Sequence, residues 1–144
     1  MIEPVEILLV EDNPQDLKLT LHALNRNNVS NRIEIVRDGA EALEFLFGTG
    51  RYAGRSENAP KVVLLDLKLP KIDGLEVLRQ VKADSRTRRI PIVVLTSSRE
   101  DSDIAKCYQL GVNSYIIKPV DFEKFSESMR QVGHYWLLLN QPPT

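Results

Sequence analysis

The chain contains a single cysteine, Cys107, among its 144 residues. An internal disulfide is therefore excluded, as is a cysteine-based zinc cluster, and such usage fits a reducing cytoplasm. Neither sign of charge is in excess: 19 Lys and Arg face 20 Asp and Glu, a formal net of -1. A balance this close to neutral offers no global attraction to nucleic acid or to an anionic membrane. No apolar run approaches the roughly 18 residues that a bilayer span requires. The N-terminus places Glu3 and Glu6 around a short apolar stretch, unlike a signal or transit peptide. Repeats and low-complexity tracts are absent as well. What remains is a length suited to one domain, with 42% hydrophobic residues to form its core.

Short apolar runs alternate with longer segments of helical period, five times over. Val5–Val10 reads as the first strand, stopped by Glu11-Asp12-Asn13-Pro14. Asn13 before Pro14 is a helix start, because proline at the first helical position gives up no needed donor. Leu17, Leu21 and Leu24 form one face of that helix, and the polar stretch Asn25–Asn31 ends it. Ile33–Val36 is the second strand. Asp38 and Glu41 resemble a capping box ahead of Ala42, Leu43, Phe45 and Leu46. Gly48–Pro60 is an extended loop, long enough to suggest a contact role or simple mobility. Val62–Leu65 is the third strand, ended by Asp66, and Gly74 precedes a helix with Leu75, Val77, Leu78 and Val81. Pro91–Leu95 is the fourth strand, with Thr96-Ser97-Ser98 expected to cap the helix running to Gly111. Tyr115–Ile117 is the fifth, and Asp121 caps a last helix carrying Phe122, Phe125, Met129, Val132 and Trp136. Strands apolar on both faces, each followed by a helix, imply a doubly wound α/β fold around a five-stranded parallel sheet.

Such sheets gather their chemistry at the carboxyl ends of the strands. Here those ends carry Glu11-Asp12, Asp66, Thr96 and Lys118. Two carboxylates about 5 Å apart repel by roughly 3 kcal/mol at an effective dielectric near 20, so three need compensation. A hard divalent cation such as Mg²⁺, which takes few carboxylates and keeps waters, suits Glu11, Asp12 and Asp66. Each residue alone reads more simply as a helix cap, a solvated turn or a surface charge. Five of them at the ends of four strands read as a site. Asp66, alone after the middle strand, is the candidate nucleophile for an aspartyl phosphate. Lys118 and the Thr96 hydroxyl would then hold phosphoryl oxygens, since this chemistry needs mostly positioning and charge neutralisation.

With these residues in view, the sequence closely resembles the receiver domain of two-component response regulators. The likeness rests on Leu8–Asn13, on Leu64–Pro70 with Asp73-Gly74, on Val94–Ser97 and on Tyr115–Pro119, in that order along nearly the whole chain. It implies a CheY-like (flavodoxin-like) fold with strand order 2-1-3-4-5 and five helices, residues 1–144 forming a single receiver domain. It further implies that Asp66 accepts phosphate from a sensor histidine kinase. Asp12 and Asp66 would bind Mg²⁺ directly, Glu11 through water, and the Lys68 backbone carbonyl would be the remaining protein ligand. Thr96 and Tyr115 match the switch pair, and Lys118-Pro119 the family's lysine followed by a cis proline bond. Within the family, the Gly48–Pro60 loop and the apolar tail resemble the stand-alone regulators of cyanobacterial and bacterial phytochromes. A phytochrome-type kinase is therefore one expected partner, another hybrid sensor kinase a second. Lys68 and Ser98 would flank the path of an attacking water.

No output module is expected after the last helix, and the expected output is a shift of the face made by the fourth helix, fifth strand and fifth helix. Tyr135, Leu138 and Leu139 are expected to project outward and to support a homodimer through this C-terminal face. Arg86-Thr87-Arg88-Arg89 reads as a solvated helix end, His22 and His134 as surface residues, and Cys107 as a core or boundary thiol. Three rivals are weaker. An aspartyl-nucleophile phosphatase would carry an aspartate where Lys68 stands. A flavodoxin-like nucleotide or flavin binder would need a glycine- or threonine-rich loop where Glu11 and Asp12 stand. A phosphorylation-independent receiver-like scaffold would not need the full acidic set.

Overall fold

The structure is a computed structural model that describes residues 5–27, 32–55 and 59–142. Five strands, β1 (Ile7–Val10), β2 (Ile33–Val36), β3 (Val62–Leu65), β4 (Ile92–Thr96) and β5 (Ser114–Ile117), form one parallel sheet in the order β2-β1-β3-β4-β5. Between and after them run α1 (Pro14–Arg26), α2 (Gly39–Phe47), α3 (Gly74–Ala83), α4 (Asp101–Leu110) and α5 (Phe122–Gly133). The doubly wound topology expected from the sequence is the one observed.

Period-two alternation explains why the sheet is covered on both sides. Leu8, Val10, Val63, Leu65, Ile92 and Val94 point to the face packed by α2, α3 and α4, through Phe45, Leu78, Val81 and Cys107. Ile7, Leu9, Val62, Leu64, Val93 and Leu95 point to the other face, against Leu17 and Leu24 of α1 and Phe125, Met129 and Val132 of α5. With both faces buried, the central strands β1, β3 and β4 leave their polar residues at or just beyond their ends. That is what concentrates Glu11, Asp66, Thr96 and Lys118 along one edge.

Several boundaries differ from the sequence expectation for identifiable reasons. β1 begins at Ile7, where its register partners Ile33 and Val62 begin. Pro91 has no N–H to give the ladder, so β4 starts at Ile92, although the Pro91 carbonyl accepts the Val63 N–H at 2.9 Å. Thr96 joins β4 because its carbonyl accepts the Lys118 N–H at 2.8 Å. Asn13 caps α1 by accepting from the N–H groups of Gln15 and Asp16, with Pro14 as the first helical residue, as expected. Asp38 caps α2 through the Glu41 N–H at 2.7 Å, but Glu41 reaches back to the N–H of Arg37, one residue before the cap. The stretch Thr96–Ser98 does not cap α4, which starts only at Asp101; Ser98 Oγ instead accepts the Glu100 N–H and donates to Asp103. The polar stop after α1 falls partly on residues 28–31, outside the described residues.

The Gly48–Pro60 loop contains a short 3-10 turn, Gly50–Tyr52, fastened to α2. Tyr52 donates its hydroxyl to Glu41 at 2.7 Å, and Arg55 donates to the Phe45 carbonyl while lying over the Phe45 ring. Arg86–Arg89 is not a helix end, because α3 stops at Ala83; Arg86 pairs with Asp84 and lies over Phe47. Beyond α5 the chain closes in a π-helical turn, His134–Leu139. Tyr135, Leu138 and Leu139 are exposed, 49, 74 and 63%, as the sequence suggested, while Trp136 packs on the α1/α5 core.

Candidate functional site

The end of β1 delivers Glu11 and Asp12, β3 delivers Asp66, β4 ends on Thr96, and Lys118 follows β5. One carboxylate oxygen from each of Glu11, Asp12 and Asp66 lies within 4.8 Å of the others. Burial is graded: Glu11 and Asp66 are buried, Asp12 is exposed at the rim. Three mutually close carboxylates, two of them out of water, repel unless a cation lies among them. Their oxygens are the donor type that hard divalent cations take. The set therefore fits such an ion.

The protein's own cation here is Lys118. Its Nζ donates to Glu11 Oε1 at 2.7 Å, to Asp16 Oδ2 at 3.1 Å and to Asp66 Oδ2 at 3.5 Å. Burial opposes the Lys118 ammonium, but its carboxylate neighbours, Glu11 foremost, outweigh this and hold its pKa above the ordinary lysine value. Burial pushes the Glu11 carboxyl from 4.5 up to about 7, with Asp66 adding repulsion and Lys118 pulling the other way. Asp66 also accepts the Lys68 N–H at 3.4 Å, and the Lys68 side chain is exposed. Behind Asp66, Gly74 is a geometric necessity. A Cβ on it would lie 2.3 Å from the Asp66 carbonyl oxygen.

Thr96 is fully buried, and its Oγ1 accepts the Ser98 N–H at 3.3 Å. Tyr115 is half-buried against the α2–α4 face and donates its hydroxyl to the Ser98 carbonyl at 3.1 Å. Burial raises its phenol pKa, only partly offset by that hydrogen bond. Thr96 and Tyr115 are thus joined through one residue, Ser98. The peptide bond between Lys118 and Pro119 is trans, not cis as the resemblance implied; trans is the lower-energy default for such bonds.

Glu11, Asp12, Asp66 and Lys118 accordingly converge, with Thr96 at the end of the adjoining strand. Asp16 is the residue that sequence reasoning missed. The signal lay in the Asn13-Pro14 start, which puts Asp16 at the third helical position, turned back over the end of β1. His22 lies tilted against Phe122 at the surface, 5.3 Å between ring centres, and Cys107 is buried.

The sequence profile of the response regulator receiver domain matches residues 7–130. Among its relatives, the probable methanogenesis regulatory protein FilR2 of Methanothrix harundinacea is 45% identical over 141 residues, covering 98% of this chain and 89% of that protein. The crystal structure of the phosphorylated cyanobacterial phytochrome response regulator RcpA superposes with a TM-score of 0.89 at 39% identity, over 99% of this chain and 100% of its own. The bacteriophytochrome response regulator RtBRR gives a TM-score of 0.79 at 52% identity, over 98% of this chain and 85% of its own. With the acid cluster, the lysine and the strand order all in agreement, this chain belongs to the response regulator receiver domain family and is a two-component response regulator homologous to those of phytochromes.

Proposed function

We propose that this protein accepts a phosphoryl group on Asp66 from a sensor histidine kinase, with Mg²⁺, and signals through the face formed by α4, β5 and α5. The observation that carries the reading is the pairing around Asp66: acids that suit a divalent cation on one side, the Lys118 ammonium 3.5 Å away on the other. A Mg²⁺ ion held by Glu11, Asp12, Asp66 and the Lys68 backbone carbonyl would shield the negative charge of the incoming group. A carboxylate oxygen of Asp66 attacks the phosphorus, the phosphorus–nitrogen bond of phosphohistidine breaks, and its electron pair leaves with the imidazole. Lys118 neutralises one phosphoryl oxygen. The Thr96 hydroxyl accepts from Ser98 and keeps its proton to donate to another.

Drawing Thr96 towards the phosphoryl group shifts Ser98, to which the Tyr115 hydroxyl is bonded, and so moves the Tyr115 ring that packs on the α2–α4 face. The response is a shift between two packings, no larger than the difference in how well each suits the phosphoryl group. The exposed Tyr135, Leu138 and Leu139 beyond α5 suit a homodimer contact. The likeness to RcpA and RtBRR favours a phytochrome-type kinase, while FilR2 is a probable regulator of methanogenesis. Against a phosphatase, an exposed lysine, Lys68, stands two residues after Asp66, where a general acid would be needed.

The test is incubation with acetyl phosphate and Mg²⁺ followed by intact mass. Wild type gains one phosphoryl group and Asp66→Asn gains none. An unmodified wild type, or a modified variant, would contradict the proposal.

A further inference from the structure

We infer that Asp16 is a positioning residue for phosphoryl acceptance: it holds the Lys118 ammonium as an exchangeable partner, which must let go before a phosphoryl oxygen on Asp66 can be gripped. The inference rests on the reading of Asp66 as the acceptor. An ammonium has three N–H donors. All three of those on Lys118 are engaged, by Glu11 Oε1 at 2.7 Å, Asp16 Oδ2 at 3.1 Å and Asp66 Oδ2 at 3.5 Å. A fourth acceptor must therefore displace one of the three.

The three are not equally easy to displace. The Glu11 side chain is 3% exposed, so releasing it would strand a carboxylate away from water. Asp66 carries the incoming group itself. The Asp16 side chain is 41% exposed and is rehydrated as soon as it lets go. Its backbone is fixed meanwhile. The Asp16 N–H donates to the Asn13 side chain at 3.0 Å, and its carbonyl accepts the buried Thr20 hydroxyl at 2.8 Å. The N-terminus of α1 still favours a carboxylate there after the exchange. Release is thus a side-chain movement and needs no rearrangement of the helix.

The ion pair between Asp16 and Lys118 stabilises only the unloaded site, so it opposes loading by the free energy of that contact. The negative charge of Asp16 near the incoming phosphoryl group acts in the same direction. Removing the charge therefore favours the loaded state.

The experiment measures beryllofluoride affinity by calorimetry at saturating Mg²⁺ for wild type, Asp16→Asn and Asp16→Glu, each verified as folded by circular dichroism. The Asn variant is expected to bind roughly 1.5- to fivefold more tightly, the range of a half-exposed ion pair, and to be phosphorylated faster by acetyl phosphate. The Glu variant, with the charge restored, is expected to return towards wild type; a merely structural role would not follow the charge in this way. Should Asp16→Asn prove unstable, Asp16→Ala is expected to show the same gain. Equal or weaker binding by the neutral variants, or a Glu variant that behaves like Asn, overturns the role of Asp16. A wild type that binds no beryllofluoride at all overturns the reading of Asp66 instead, and this inference with it.

Discussion

Neutralising Asp66 is expected to stabilise the metal-free protein while abolishing its function. Consider Asp66→Asn above pH 8, where Glu11 is ionised. Asp66 faces Glu11 and Asp12 with carboxylate oxygens no more than 4.8 Å away, and each such pair repels by at least about 3.5 kcal/mol at an effective dielectric of 20. Among the described residues its compensation within the site is the Lys118 ammonium at 3.5 Å, worth about 4.7 kcal/mol on the same scale. The two repulsions exceed the attraction by roughly 2 kcal/mol, and the exposure of Asp12 trims its share, leaving about 1 to 2 kcal/mol. An amide of the same shape removes all three interactions and can still accept the Lys68 N–H. For a domain of this size the gain corresponds to a rise in melting temperature of roughly 2 to 8 °C. The assay is thermal unfolding followed by far-ultraviolet circular dichroism, in chelator and in millimolar Mg²⁺. Mg²⁺ should raise the wild type more than the variant, because a ligand stabilises only the state that binds it. A variant no more stable than wild type in chelator, or one raised equally by Mg²⁺, would refute the electrostatic reasoning.

Three other expectations follow from the same geometry. In the metal-free protein Glu11 has a higher pKa folded, about 7, than its ordinary 4.5, so the native state holds the proton more tightly. Its contribution is fully present below pH 4.5 and is lost as pH rises to about 7, on the order of 3 kcal/mol. Glu76, Asp84 and Glu127, held down to about 2 by Arg79, Arg86 and Arg130, act oppositely and only below pH 4.5, so urea titrations across pH 5 to 8 isolate Glu11; a flat profile there would count against it. Gly74→Ala would push a Cβ to 2.3 Å from the Asp66 carbonyl, costing about 1 to 3 kcal/mol and slowing acetyl phosphate uptake; normal uptake by this variant would show that the loop behind Asp66 yields freely. Leu138→Glu, at a side chain 74% exposed, should leave unfolding within about 0.5 kcal/mol of wild type yet give a monomer in sedimentation; an unchanged dimer would move the interface elsewhere.

The fold was readable because its determinants are local and redundant. Val62–Leu65 is apolar at every position, which only a strand covered on both sides tolerates, and the element found there has those bounds. Asn13-Pro14, Asp38 and Asp121 announce helix starts through side chains that reach the next turn, and all three caps are made. Glu11, Asp12, Asp66 and Lys118 were readable as a site because parallel strands deliver their ends to one edge. Less visible was anything decided by side-chain competition. Ser98 could have capped α4 directly, but its oxygen goes to Asp103 and to the Glu100 N–H, and the helix starts later. Asp16 lies on a helix, so its approach to Lys118, 102 residues away, depends on how α1 is set against the sheet. Strand periodicity carries no information about that angle.

The arrangement around Lys118 also explains why the site needs so few residues. A single ammonium within reach of Glu11, Asp16 and Asp66 lets acids that would otherwise repel be folded together without a bound ion. The compensation is incomplete: burial first, and then repulsion from Asp66, holds the Glu11 carboxyl above its ordinary range despite Lys118. Four carboxylates, counting Asp12 with those three, still outnumber the one lysine, so the residual field attracts a divalent cation. Once that cation balances the acids, Lys118 is no longer the only compensating charge and becomes free to turn to a phosphoryl oxygen. The graded exposure of its partners, from buried Glu11 to half-exposed Asp16, then determines which contact is released first. The incomplete neutralisation that weakens the metal-free fold is therefore the same property that prepares the site to receive first a cation and then a phosphoryl group.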